Sequence, residues 1–173
     1  AAGGWALSRL SRPKNEASSS AKVASPKSEN LQTNQGSLVK VDSEGGYECS
    51  PGLAVLSGDC QRLASAGGDA LGPWNAANDE AVWRVQVARP GFFQAQVTYA
   101  GTAAAEGTAL EIRIGNRERR LSLRDTGGLE QFETDSLTVA VERSGTQPIS
   151  LRVPLPKAGE WLRLRSIRLA PLG

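Results

Sequence analysis

Apolar and polar residues alternate along most of the C-terminal half of the chain. Trp83, Val85 and Val87 alternate with Arg84 and Gln86. Past Arg89-Pro90-Gly91, Phe93, Ala95, Val97 and Tyr99 alternate with Gln94, Gln96 and Thr98. The same period carries Leu110, Ile112 and Ile114, then Leu121 and Leu123 after a turn at Gly115-Asn116. Leu137, Val139 and Val141 follow, Ser144-Gly145 punctuates, and Ile149, Leu151, Val153 and Leu155 continue. Leu162, Leu164, Ile167 and Leu169 close the series. Successive strand side chains point to opposite faces, so these runs predict strands with one buried face. No segment carries a helical period, no internal repeat occurs, and no strand–helix alternation appears. About seven strands, with turns roughly every 8–12 residues, predict an all-β antiparallel sandwich.

The last run shifts phase at Arg165-Ser166. An uninterrupted strand would put Ile167 on the face opposite Leu164. A β-bulge there returns both pairs to the core. Trp83, in phase with Val85 and Val87, is assigned to the core. Trp161 is out of phase with Leu162, which leaves it on the outer face or taken in by the bulge.

Composition divides the chain near residue 46. Residues 1–45 are rich in Ser, Lys, Asn and Gln, with Trp5 as the one aromatic. Ser18-Ser19-Ser20 and Pro26-Lys27-Ser28-Glu29-Asn30 have no period and too little apolar surface to offset the entropy of ordering. The expected organisation is a disordered or partner-ordered arm over 1–45 and a sandwich over 46–173. The first residues, Ala1 to Leu7, are mostly apolar and precede Arg9, Arg12 and Lys14. Four readings stand: a frayed terminus; the end left by signal-peptide cleavage; the remnant of a removed anchor, which would place the domain near a membrane; or a docking motif anchored by Trp5, Leu7 and Leu10. With no Met at position 1, the chain is expected to be a processed product or a fragment, in an extracytoplasmic setting.

The 173 residues include no His. That excludes a Ser-His-Asp triad, a Cys-His pair and the common His-containing zinc sites. Cys49 and Cys60 lie eleven positions apart. In an oxidising compartment they are expected to form a disulfide; two buried thiols are the alternative. A two-Cys metal site would need further soft ligands, and none is evident. The acids Asp79-Glu80, Glu130, Glu133 and Asp135 read as solvated rim residues, since glycoside hydrolysis needs two carboxyls across a cleft. No Gly-x-Ser-x-Gly elbow occurs. Gly67-Gly68 and Gly127-Gly128 lack the Gly-Lys-Ser/Thr continuation of a phosphate cradle. No enzyme activity and no cofactor are expected.

Arg113, Arg117, Arg119, Arg120 and Arg124 fall within twelve residues, and Arg152, Arg163 and Arg168 add to later strands. Such a stripe suits bidentate contacts to sulfate or carboxylate. The interleaved Glu111, Glu118 and Glu142 instead favour a mixed-charge solvated face. Outside the arm, basic and acidic residues are equal in number, so nucleic acid is not an expected partner. No apolar run approaches the ~18 residues of a membrane helix.

Four segments carry a family resemblance. They are Leu71-Gly72-Pro73-Trp74-Asn75; Ala81 to Phe93 with its Pro90-Gly91 turn and the following Tyr99-Ala100; Asp125-Thr126-Gly127-Gly128; and Leu162 to Leu169. Together they resemble the galactose-binding-like jelly roll of carbohydrate-binding module families 6 and 35. The resemblance implies a non-catalytic module that binds a glycan or envelope surface through loop residues. Trp74, Asn75, Asn78, Asp79, Thr126, Gly127 and Phe132 are the candidate ligand contacts. Where sugar-binding members carry an aromatic after the Thr-Gly-Gly loop, this chain has Leu129, with Phe132 three residues on. The resemblance also implies a structural calcium held by acids of the first and last strands. Here Leu53-Ala54-Val55-Leu56-Ser57 and Arg165-Ser166 occupy those places, with Glu48 upstream, and no metal site is expected. The alternative function is a structural or accessory subunit of an envelope or extracellular assembly, docking through the sandwich and the arm. The partner is thus a glycan or a protein.

Overall fold

The computed structural model describes residues 36–65 and 67–173; Trp5, Leu7 and Leu10 lie outside the described residues. Twelve strands occur among the described residues: β1 (Leu38–Val39), β2 (Tyr47–Cys49), β3 (Val55–Ser57), β4 (Gln61–Ser65), β5 (Gly68–Gly72), β6 (Glu80–Val87), β7 (Gly91–Gly101), β8 (Ala109–Ile114), β9 (Arg117–Ser122), β10 (Glu133–Val141), β11 (Gly145–Arg152) and β12 (Leu162–Pro171). They form two six-stranded sheets. The front sheet runs β1-β6-β11-β8-β9, with β3 also on β6; the back sheet runs β10-β7-β12-β5-β4, with β2 also on β12. All pairings are antiparallel except β1 with β6. This is an all-β jelly-roll sandwich.

The alternation read from sequence sets the faces. Val85 and Val87 of β6, Ala95, Val97 and Tyr99 of β7, Ile112 of β8 and Ile149 and Leu151 of β11 are all buried between the sheets. Trp83 is core, and its Nε1 donates to the Ser50 carbonyl at 2.7 Å. The bulge is present: β12 shifts register against β7 between Leu164 and Ser166. Leu162, Leu164, Ile167 and Leu169 are therefore all buried. Two expectations fail. Leu155 belongs to no strand, because β11 ends at Arg152, and it is 80% exposed. Trp161 is neither outward nor in the bulge; it is buried before β12, and its Nε1 donates to the Trp74 carbonyl at 2.9 Å.

Five short strands, β1 to β5, carry too few residues to show a period. The sandwich begins before residue 46. β1 pairs with β6, and the Asp42 carboxylate accepts from the Glu44 and Gly46 N–H groups while pairing with Arg168 at 2.7 Å. Among the described residues no helix is long and apolar enough to cross a membrane.

Cys49 and Cys60 do not form the expected disulfide; both are free and buried. Cys49 faces the core from β2, opposite Ile167, and Cys60 ends the turn before β4. Burial pushes both thiols up, Cys60 to about 12 and Cys49 further. Oxidation proceeds through the thiolate, which these sites suppress. A maleimide should label neither thiol in the native protein and both after denaturation without reductant. Mass spectrometry of unlabelled denatured chains would reveal a disulfide instead.

The outer face of the front sheet accounts for most of the basic cluster. Register places Glu80, Arg152, Glu111 and Arg120 in one row across β6, β11, β8 and β9. Signs alternate along this row. Glu111 is only 2% exposed and pairs with Arg152 at 2.5 Å, Arg120 at 3.4 Å and Arg113 at 3.5 Å. Burial raises the Glu111 carboxyl and the arginines, Arg152 first, outweigh it, so its pKa lies below the ordinary 4.5. The arginines keep solvent contact, so Glu111→Gln should cost about 1–2 kcal/mol at pH 7. A lowered folded pKa makes this contribution complete above 4.5 and lost as pH falls through the folded value. Urea titrations of both proteins should therefore converge on acidification; a constant gap would refute the ion-pair account.

Candidate functional site

The β5–β6, β7–β8, β9–β10 and β11–β12 connections gather at one end of the sandwich, because Glu80, Gly101, Glu133, Arg152 and Leu162 meet there in register. Trp74 lies at this end but is wholly buried, and its Nε1 donates to the Leu71 carbonyl at 2.9 Å. It offers no ring face to solvent, which corrects its place among the candidate ligand contacts. Its carbonyl and the Trp161 indole lock the two tryptophans together.

Asp79 is also internal, at 1% exposure. Oδ2 accepts from the N–H groups of Asn75 and Ala76 at 2.9 and 2.8 Å, and Oδ1 accepts from that of Asp59 at 2.6 Å. A Cβ at Gly58 would lie 2.3 Å from this Oδ1, so glycine at that positive-φ position lets the two loops close. Asp79 is a loop fastener rather than a ligand group. Asn75 is half-buried and supplies its backbone to the same knot, while Asn78 is exposed and its carbonyl accepts from the Ser57 hydroxyl.

Thr126 is turned inward. Its Oγ1 accepts from the Gly101 N–H at 2.8 Å and donates towards the Gly101 and Gly128 carbonyls. It fastens the Thr-Gly-Gly loop to the end of β7. Gly127 and Gly128 both have positive φ, which lets the backbone reverse there. Beneath this loop, Tyr99 donates its hydroxyl to Asp135 at 2.6 Å and accepts from the Arg124 N–H. Burial first, then the Asp135 carboxylate, push this phenol up to about 12.

Phe132 is different. It is partly exposed, and the Arg165 guanidinium lies over its ring at 3.6 Å from the centroid. Arg165 stands at the bulge of β12, and Phe132 immediately precedes β10, with β7 between them. Glu130 accepts from Ser65 at 3.0 Å and pairs with Arg163, which also reaches Glu160 at 3.3 Å. The sequence reading found Phe132 and missed Arg165, Arg163 and Glu130 as neighbours. The phase slip at Arg165 was the available signal.

Phe132, Arg165, Arg163, Glu130 and Ser65 thus form a polar cradle around one aromatic, beside the Gly127 loop. A stacked guanidinium is a rigid plane of donors. Such an array orients vicinal hydroxyls, while a ring face takes apolar C–H groups. Among the described residues no three Asp, Glu or Cys side chains converge as a cation site. Glu48 instead faces Arg168 at 3.7 Å, and the residues do not fit the structural calcium the resemblance implies.

Solved structures share this architecture. The C-terminal family 6 carbohydrate-binding module of LamC from Zobellia galactanivorans aligns with a TM-score of 0.61 at 19% identity, over 72% of this chain and 98% of that one. What is shared is the jelly-roll fold. A family 35 module from Clostridium thermocellum aligns with a TM-score of 0.58 at 19% identity, over 68% and 91% of the two chains. A family 6 module of Cellvibrio mixtus lichenase 5A, in complex with cellotriose, gives 0.61 at 17% identity, over 73% and 97%. No family model and no curated protein sequence matches the chain.

Asp79→Ala would strand three backbone donors, two of them on one oxygen. It should destabilise the jelly roll by about 2–4 kcal/mol. Thermal melts check this, and a change under about 0.5 kcal/mol, the range of ordinary surface substitutions, would refute the fastener role.

Proposed function

We propose that this chain is a non-catalytic, extracytoplasmic glycan-binding module. The observation that carries the proposal is the Phe132–Arg165 stack beside the Thr126-Gly127-Gly128 loop, on a fold shared with carbohydrate-binding modules. A sugar would lay a C–H face near Phe132 and take hydrogen bonds from the Arg165 and Arg163 guanidinium groups. Gly127 leaves the loop backbone open to close approach, and Asn78 is the exposed side chain at the neighbouring loop. The cellotriose bound by the lichenase module supports testing β-glucans first.

A second reading is a structural or accessory subunit of an envelope or extracellular assembly. The internal engagement of Trp74, Asp79 and Thr126 favours it, because these residues are spent on holding the loops. In that reading the arm with Trp5, Leu7 and Leu10 would contribute docking.

Affinity electrophoresis in polysaccharide gels separates the two. Phe132→Ala should lose retention on a glycan that the wild type binds, with its melting temperature held within a few degrees. Trp74→Ala should instead lose about 3–5 kcal/mol of stability through the cavity it leaves. Full retention by Phe132→Ala would refute the site, and no retention of the wild type on any glycan would favour the assembly subunit.

A further inference from the structure

The basic cluster leaves one member unaccounted for. Arg113 and Arg120 are held by Glu111 and Glu118, Arg124 by Glu133 and Asp135, and Arg117 by Glu142 through Nε at 2.8 Å. Arg119 faces the other way from Arg120 on β9, is exposed, and makes no ion pair among the described residues. It lines a depression of about 620 Å³ between the free edges of β9 and β10, at the end opposite the loop site. Phe92 shares this lining and is 63% exposed, the most exposed aromatic side chain among the described residues. Ala140, opposite Phe92 in register, leaves the ring uncovered on the β10 side. Asn116, Arg117, Glu118 and Glu142 complete the polar part of the depression. Arg143 lines the adjoining hollow with Asn116 and Arg117.

We propose that this depression is a second binding site, for an anionic saccharide. The Phe92 ring takes the C–H face of a sugar residue, and Arg119 takes a sulfate or carboxylate group in a bidentate contact. Arg143 adds a second cation to the same end. The carboxylates of Glu118 and Glu142 accept hydrogen bonds from sugar hydroxyls. An acidic peptide has no flat C–H face to lay on the exposed Phe92 ring, which is why a saccharide suits the lining better. The site shares no residue with the loop cradle and stands independently of it.

The test uses the full chain and four soluble polymers: dextran sulfate, polygalacturonate, neutral dextran and poly-glutamate. Isothermal titration should show binding of dextran sulfate, of polygalacturonate, or of both, which tells a sulfate from a carboxylate source. Arg119→Glu and Phe92→Ser should each weaken that binding at least about tenfold, and Phe132→Ala should leave it unchanged. Both substituted residues are exposed, and melting curves confirm that the variants fold. Loss in Phe132→Ala alone would place anion binding at the loop site and overturn the proposal. Equal binding of poly-glutamate, or no binding of either anionic polysaccharide, would overturn it as well. Failure of the loop reading would appear separately, as neutral-glycan retention insensitive to Phe132→Ala.

Discussion

The bulge at Arg165 is the constraint on which both core and candidate site depend. β12 is central: β7 lies on one flank, and β2 and β5 share the other. Its apolar residues come in two pairs of opposite phase, Leu162 with Leu164 and Ile167 with Leu169. Only an extra residue between them buries all four. That residue is Arg165, released from the strict alternation and set over Phe132. The irregularity that closes the back sheet therefore also places a guanidinium on an aromatic at the loop end. Straightening the strand would turn one apolar pair outward and dismantle the stack in the same step.

The loops at that end are held by polar groups rather than by length or disulfides. Asp79 gathers three backbone donors, Thr126 clips the Thr-Gly-Gly turn to β7, and the tryptophans donate to carbonyls of neighbouring segments. Each such group is buried, so each must be satisfied or cost its full desolvation. The consequence is a stiff rim. Rigid rims suit recognition without chemistry, since a ligand then pays little to order the surface it meets.

The sequence disclosed the long strands because one buried face imposes a period of two on anything longer than about five residues. It disclosed the bulge for the same reason, as a break in that period. The short strands β1 to β5 left no such mark. The site was harder to read. An aromatic followed by Asn and Asp looks alike whether it faces a ligand or the core, and Trp74 and Asp79 proved to face inward. Burial of a polar residue depends on which backbone donors the fold brings near it, as with Asp59 and Asp79, twenty positions apart. The cysteines failed similarly: spacing permits a loop, but the core takes each thiol singly.

Charge was legible as composition and illegible as pattern. Equal numbers of acids and bases suggest a neutral surface, and on the front sheet that is what register produces, with Glu111 shared among three arginines. Neutralisation requires the partner strand to present an acid on the same face. β9 breaks this rule because Arg119 and Arg120 are consecutive, so one must point away from the Glu111 row. At a sandwich edge the inward phase does not meet a packed core, and Arg119 opens onto the gap beside β10. A doublet of arginines on an edge strand thus divides its labour by geometry alone: one side chain completes an ion-pair ladder, and its neighbour keeps an uncompensated charge beside an exposed ring.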